Sequence, residues 1–174
     1  MRATVLEQEQ FDKVLAYTGT MERSDMYRFM VTLSIKLGLR PIEIANMETC
    51  WFIGDELQIP HGKSKRGRAR TLPIDGDILV QLHNLMGSSK GLVFRNARGD
   101  AFTSNGISEA MRRLYKLAGV PGSCYSGRRT AATNMVDRGV NIRIVQEFLG
   151  HSNLSTTAAY CSVSPRMLRN AVFG

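Results

Sequence analysis

Residues 51–74 read WFIGDELQIPHGKSKRGRARTLPI, and this stretch separates a purely helical chain from one that carries a sheet. Two short apolar runs flank Gly54-Asp55, the pattern of a β-hairpin over 51–60. RTLPI at 70–74 supplies a third strand, which makes GKSKRGRAR at 62–70 the turn between strands two and three. That turn carries five basic residues and no acid. A turn of this composition is exposed, so its charges are available to a partner.

Outward from the hairpin the periodicity is helical. Residues 7–18 place Phe11, Val14 and Leu15 on one face. Ser24 caps a second helix with Met26, Phe29, Met30, Leu33 and Leu37 in register, ended by Gly38. Pro41 suits the first turn of PIEIANM. After the sheet, Ile78, Leu79, Leu82, Leu85 and Met86 form a stripe closed by Gly87. Residues 88–103 read as loop with a buried LVF at 92–94, and Ile107, Met111, Leu114 and Ala118 mark another helix. Helices follow over 127–139, from an Asn141 cap to Gly150, from Ser155 or Thr156 through Tyr160, and from Ser164-Pro165 onward. The fold class is mainly α with a small three-stranded antiparallel β-sheet, an α+β domain over residues 1–174.

Bulk composition narrows the function. Hydrophobic content of 43% and charged content of 22% are those of an ordinary globular domain. No apolar run nears the ~20 residues of a membrane span, and MRATVLEQEQFDK lacks the apolar core of a signal peptide. The expected location is therefore cytoplasmic. Cys50, Cys124 and Cys161 form no C-x-x-C pair, and with three histidines they offer no zinc-site spacing. No metal and no cofactor is expected. The net charge of +8 and an isoelectric point near 9.8 favour a polyanionic partner held through its phosphates.

Toward its C-terminus the chain reads LGHSNLSTTAAYC at 149–161. Read with GLRPIE around Arg40 and Glu43, Lys63 in the basic turn, and YSGRRT around Arg128, it resembles the catalytic domain of the tyrosine recombinases, the phage integrase family. That family shows G-L-R-x-x-E, a lysine in a β-hairpin turn, H-x-x-R, and an L-G-H followed nine residues later by a tyrosine. The match runs over about 24–164. One position departs: Tyr125 stands where the family usually has the histidine of H-x-x-R, and Arg129 follows the arginine where a second histidine is common.

The resemblance implies phosphoryl transfer. Tyr160 attacks a DNA phosphodiester, forms a 3′-phosphotyrosyl link and releases a 5′-hydroxyl, with no ATP. A free tyrosine is only about 0.1% ionised at pH 7, so the site must assist its deprotonation. Arg40 and Arg128 would clamp the non-bridging oxygens, Lys63 would protonate the leaving oxygen with Lys65 as its rival, and His151 would position the phosphate. Glu43 would support the site. Tyr125 would hold the phosphate through its phenol. Lys65, Arg66, Arg68, Arg70, Arg112, Arg113 and Arg129 would contact duplex DNA. By the same resemblance the working assembly is a homotetramer on two paired DNA sites, with 165–174 free to dock in cis or on a neighbour. About twenty residues precede the match, consistent with a lone catalytic domain without an N-terminal clamping domain or with a fragment of a longer chain. A DNA-binding regulator on the same scaffold and a type IB topoisomerase-like relaxing enzyme are the competing readings.

Overall fold

The computed structural model describes residues 4–62 and 69–160, together with Arg169, Val172 and Phe173. The elements run α1 (Gln8–Thr18), α2 (Ser24–Leu37), α3 (Pro41–Ala45), a 3-10 turn (Thr49–Trp51), β1 (Phe52–Ile53), β2 (Glu56–Ile59), β3 (Arg70–Pro73), α4 (Gly76–Met86), α5 (Ser104–Leu117), α6 (Cys124–Asp137), α7 (Ile142–Leu149) and α8 (Leu154–Ala158). The expected fold class holds. Lys63, Lys65, Arg66 and Arg68, and the proposed start of a last helix at Ser164-Pro165, lie outside the described residues.

The sheet has the order β1-β2-β3, antiparallel throughout. Leu57 pairs with Leu72 and Ile59 with Arg70. Strand side chains alternate between faces, so Leu57, Ile59, Arg70 and Leu72 all turn to the buried face. This corrects the reading of 62–70 as one exposed basic turn: Arg70 begins β3 with its side chain inside.

The helices pack around α2, whose Phe29, Met30, Val31 and Leu33 are fully buried. A second, smaller cluster of Ala132, Val136, Val145 and Leu149 joins α6 to α7, and Tyr160 packs against it. Three details of the sequence reading change. Leu79 is exposed, because α4 buries Ile78 and Gln81 instead. Helix α6 starts at Cys124, capped by the Ser123 hydroxyl, so Arg128 sits in its second turn rather than at its start. Helix α8 is capped by Asn153 and ends at Ala158, so Tyr160 follows it rather than riding on it.

Helices α2 and α6 touch at Gly127. A β-carbon there would lie 2.6 Å from the Ser34 hydroxyl oxygen and 2.7 Å from the Ser34 carbonyl carbon. The Ser34 hydroxyl also donates to the buried Cys124 carbonyl at 2.9 Å. The backbone of α2 has no side-chain freedom with which to yield, so glycine sets the closeness of the two helices. Gly127→Ala is expected to destabilise the fold by about 1–3 kcal/mol through overpacking. Urea denaturation of the variant beside the wild type measures it.

Candidate active site

Arg40 occupies the N-cap of α3 in an extended conformation, with Pro41 in the first turn. The fixed φ of proline starts the helix here. Glu43, one turn on, accepts from the Arg40 backbone N–H at 2.8 Å and from Arg40 Nη1 at 3.0 Å. Arg70 reaches the same carboxylate from β3 with both prongs, Nη1 to Oε1 at 2.6 Å and Nη2 to Oε2 at 2.9 Å. Glu43 is completely buried. Burial by itself would raise its pKa, but the Arg70 fork and the Arg40 contacts outweigh that and hold it below the usual carboxylate range. Glu43 is thus a fixed anion between two guanidiniums. The second Arg40 prong, Nη2, donates to the Gly150 carbonyl at 3.1 Å.

Arg128 enters from α6 and is nearly sequestered, at 3% exposure. Its Nη1 donates to the Gly38 carbonyl at 2.5 Å and its Nη2 to the Leu149 carbonyl at 2.7 Å. Gly38 is the left-handed cap of α2, and Leu149 ends α7. Carbonyls at helix C-termini lack intrahelical donors and carry partial negative charge. Two such ends therefore receive the buried cation. Burial, and then the Arg40 cation, push the Arg128 pKa down, with Arg70 adding to the effect; the side chain remains charged at neutral pH. Three of its five N–H donors are committed to Gly38, Leu149 and His151, and the other two have no acceptor among the described residues.

His151 follows the left-handed Gly150 cap of α7. Its Nε2 lies 3.0 Å from Arg128 Nη2, and its Nδ1 lies 2.8 Å from the Thr157 hydroxyl. A guanidinium only donates, so Nε2 accepts and Nδ1–H donates to Thr157, which assigns the neutral tautomer. Burial and the Arg128, Arg40 and Arg70 cations push its pKa down to about 4. The Tyr160 ring stacks on the imidazole, with centroids 6.3 Å apart and planes 18° from parallel.

A cleft of about 550 Å³ lies beside these groups, lined by Tyr125, Arg128, Arg129 and Tyr160 together with Ser123 and Thr156. Tyr125 sits at the N-terminal end of α6 and is 47% exposed. Burial, and next to it Cys124, raise its phenol pKa against the opposing pull of Arg128 and Arg40, so it is a hydroxyl donor at neutral pH.

The cleft therefore gathers Tyr125, Arg128 and Tyr160; His151 touches Arg128 and Tyr160 from behind, while Arg40, with Glu43, joins the site through the Gly150 carbonyl beside His151 and does not line the cleft. Arg129 also faces it. Arg112 is exposed and paired with Glu109, while Arg113 lines a separate depression with Arg23 and Phe102; neither is brought to the cleft. The Arg70 side chain is buried rather than exposed. The sequence reading placed Arg70 only among the DNA contacts and did not name Thr157. Arg70 was visible in principle, because it is in phase with Leu72 and Ile74 on the inward face. Thr157 left no local signal, since its role depends on how α8 folds back on α7. Among the described residues no three His, Cys, Asp or Glu side chains converge as metal ligands, and the Glu43 carboxylate is taken up by arginines.

The fold is that of tyrosine recombinase catalytic domains. The XerA recombinase crystal structure superposes with a TM-score of 0.78 at 20% identity, covering 97% of this chain and 63% of that one. The Tn1549 transposon integrase in complex with transposon right end DNA superposes with a TM-score of 0.84 at 14% identity, covering 99% and 66%. The chain belongs to the phage integrase family, whose family model matches residues 4–167. Tyrosine recombinase XerA of Pyrococcus horikoshii is 31% identical over 153 residues, 83% of this chain and 53% of the relative. Tyrosine recombinase XerC of Bacillus subtilis is 35% identical over 123 residues, 63% and 40% respectively. The chain spans roughly half the length of the curated relatives it matches.

The depressed His151 pKa has a thermodynamic consequence. Between the ordinary histidine value near 6.5 and about 4, the unfolded chain binds a proton that the folded chain does not. Stability therefore falls as pH falls through that window. Glu43, also depressed, removes further stability below about pH 4.5 as it protonates. Denaturation midpoints measured from pH 7 to 4 are expected to decline, and His151→Gln is expected to flatten the decline between 6.5 and 4.5 while leaving the acidic limb.

Proposed function

We propose that this chain is the catalytic part of a site-specific DNA recombinase that cuts and rejoins strands through a 3′-phosphotyrosyl intermediate. The observation that carries the reading is the meeting of Tyr160, Arg128 and Tyr125 on one cleft, with His151 stacked against Tyr160. The Tyr160 oxygen forms a bond to phosphorus as the P–O5′ bond breaks. The phenolic proton leaves to water; His151 takes part only where the incoming phosphate draws Arg128 off its Nε2 lone pair, which Arg128 otherwise occupies. The departing O5′ takes a proton from Lys63, with Lys65 as its rival, and becomes the 5′-hydroxyl. Arg40 and Arg128 hold the non-bridging oxygens as charge grows there; one preorganised donor of this kind is worth on the order of 10²–10³ in rate. The bond energy is kept in the phosphotyrosine, so a second strand's 5′-hydroxyl reverses the step.

Duplex DNA is the partner, in line with the net charge of +8 and with the DNA bound to the Tn1549 integrase. Arg129, beside the cleft, and the basic residues of 63–68 supply phosphate contacts. The working form is a homotetramer on two paired sites, acting at the nucleoid in the cytoplasm. Among the described residues no helix is long and apolar enough to cross a membrane.

Incubation with a pool of nicked duplexes randomised around the nick tests the reaction. A covalent protein–DNA band on a denaturing gel is expected, and it is expected to vanish in Tyr160→Phe. Relaxation of any supercoiled plasmid without site preference would favour a topoisomerase instead.

Tyr125 replaces an imidazole that could carry a proton by a phenol that can only donate a hydrogen bond near neutrality. Tyr125→Phe is expected to slow cleavage by about tenfold, the scale of one lost hydrogen bond to a charged oxygen, and Tyr125→His to retain activity. A Phe variant that cleaves at the wild-type rate would remove Tyr125 from the phosphate site.

A further inference from the structure

Arg70 belongs neither to the exposed turn nor to the cleft, yet it is tied to everything beneath the cleft. Its guanidinium forks the buried Glu43 carboxylate at 2.6 and 2.9 Å. The same group fills the space beside Gly150: a β-carbon on that glycine would lie 2.7 Å from Arg70 Nη1. Gly150 has φ +60, and its carbonyl receives the second prong of Arg40. Glu43 thus meets Arg70 with both oxygens and Arg40 Nη1 with one.

We infer that Arg70 is a positioning residue of the proposed strand-cleavage reaction: by forking both oxygens of Glu43 it holds Arg40 to a one-pronged contact there and keeps it from closing on the carboxylate, and by packing under Gly150 it fixes the backbone that carries His151. The inference rests on the proposed function. Without Arg70, Glu43 keeps one adjacent cation in a buried site. A buried carboxylate left so under-compensated draws that cation in. Arg40 then closes on Glu43 as a two-pronged fork, and the phosphate competes with the carboxylate for one guanidinium. Protonating Glu43 would release Arg40 again. The charged and titratable groups that face Glu43 are Arg40 and Arg70 by contact, and Arg128 and His151 through space.

The test compares single-turnover cleavage of nicked DNA by wild type, R70M, R70K and the double variant E43Q/R70M, each with a melting temperature and a salt series of DNA affinity. R70M is expected to cleave about 10–100-fold more slowly at neutral pH, the scale for residues that orient a reacting group from behind. Its rate is expected to recover, relative to wild type, as pH is lowered toward 5.5. E43Q/R70M is expected to be faster than R70M and to lack that recovery. The salt dependence of binding should match wild type, because a buried arginine neutralises no phosphate; a slope reduced by about 1 would mark Arg70 as a phosphate contact and overturn the inference. So would a wild-type rate in R70M, or a slow R70M whose pH profile parallels wild type. Should R70M fail to fold, R70K decides: it keeps the cation and loses the fork, so a loss of about 3–10-fold is expected, and a wild-type rate overturns the role. Adduct formation by wild type, absent in Tyr160→Phe, separates the two levels. An inactive wild type overturns the recombinase reading and the Arg70 role with it, whereas an active wild type matched by R70M overturns the Arg70 role alone.

Discussion

Three guanidiniums, those of Arg40, Arg70 and Arg128, share a small volume with one carboxylate, that of Glu43. That ratio is the constraint on which the site depends. Each buried ion costs several kcal/mol in lost hydration, and only close partners offset the loss. Glu43 compensates Arg70 fully and Arg40 in part. Among the described residues Arg128 has no carboxylate partner, and its prongs donate to the carbonyls of Gly38 and Leu149. Among the described residues the three cations therefore outnumber the one carboxylate within contact of them.

The helix ends explain how this is sustained without unfolding the domain. Gly38 and Gly150 both adopt left-handed conformations, which stop α2 and α7 and direct their last carbonyls inward. Those carbonyls would otherwise be orphaned in a buried place. The arginines need acceptors and the helix ends need donors, so one arrangement satisfies both. His151 is held by the same geometry. Its lone pair faces Arg128, its N–H faces Thr157, and its neutral state follows from the cations around it.

The amphipathic helices and the three-strand sheet were readable because burial follows a period of 3.6 or 2 along the chain. Phe29, Met30 and Leu33 announced the face of α2 that is buried. The hairpin declared itself through Gly54-Asp55. Where the reading slipped, a short-range cue yielded to a long-range one. Leu79 looked like core and is exposed, because α4 meets the rest of the fold along Ile78 and Gln81. Arg70 looked like the end of a basic turn, although its phase with Leu72 placed it on the inner face. Gly127 entered the sequence reading only as the first residue of a helix over 127–139, and its role comes from Ser34, far away in the chain.

The sequence by itself determined the fold class, and it singled out Arg40, Glu43, Arg128, His151 and Tyr160 as candidates, because order and spacing of polar residues at helix boundaries survive as a linear pattern. Tertiary structure alone decided that Glu43 pairs with both Arg40 and Arg70, that the Arg70 side chain is buried, and that His151 is neutral. Those properties depend on distances between segments remote in sequence and on how little water lies between them. Neither is written in any local window of residues.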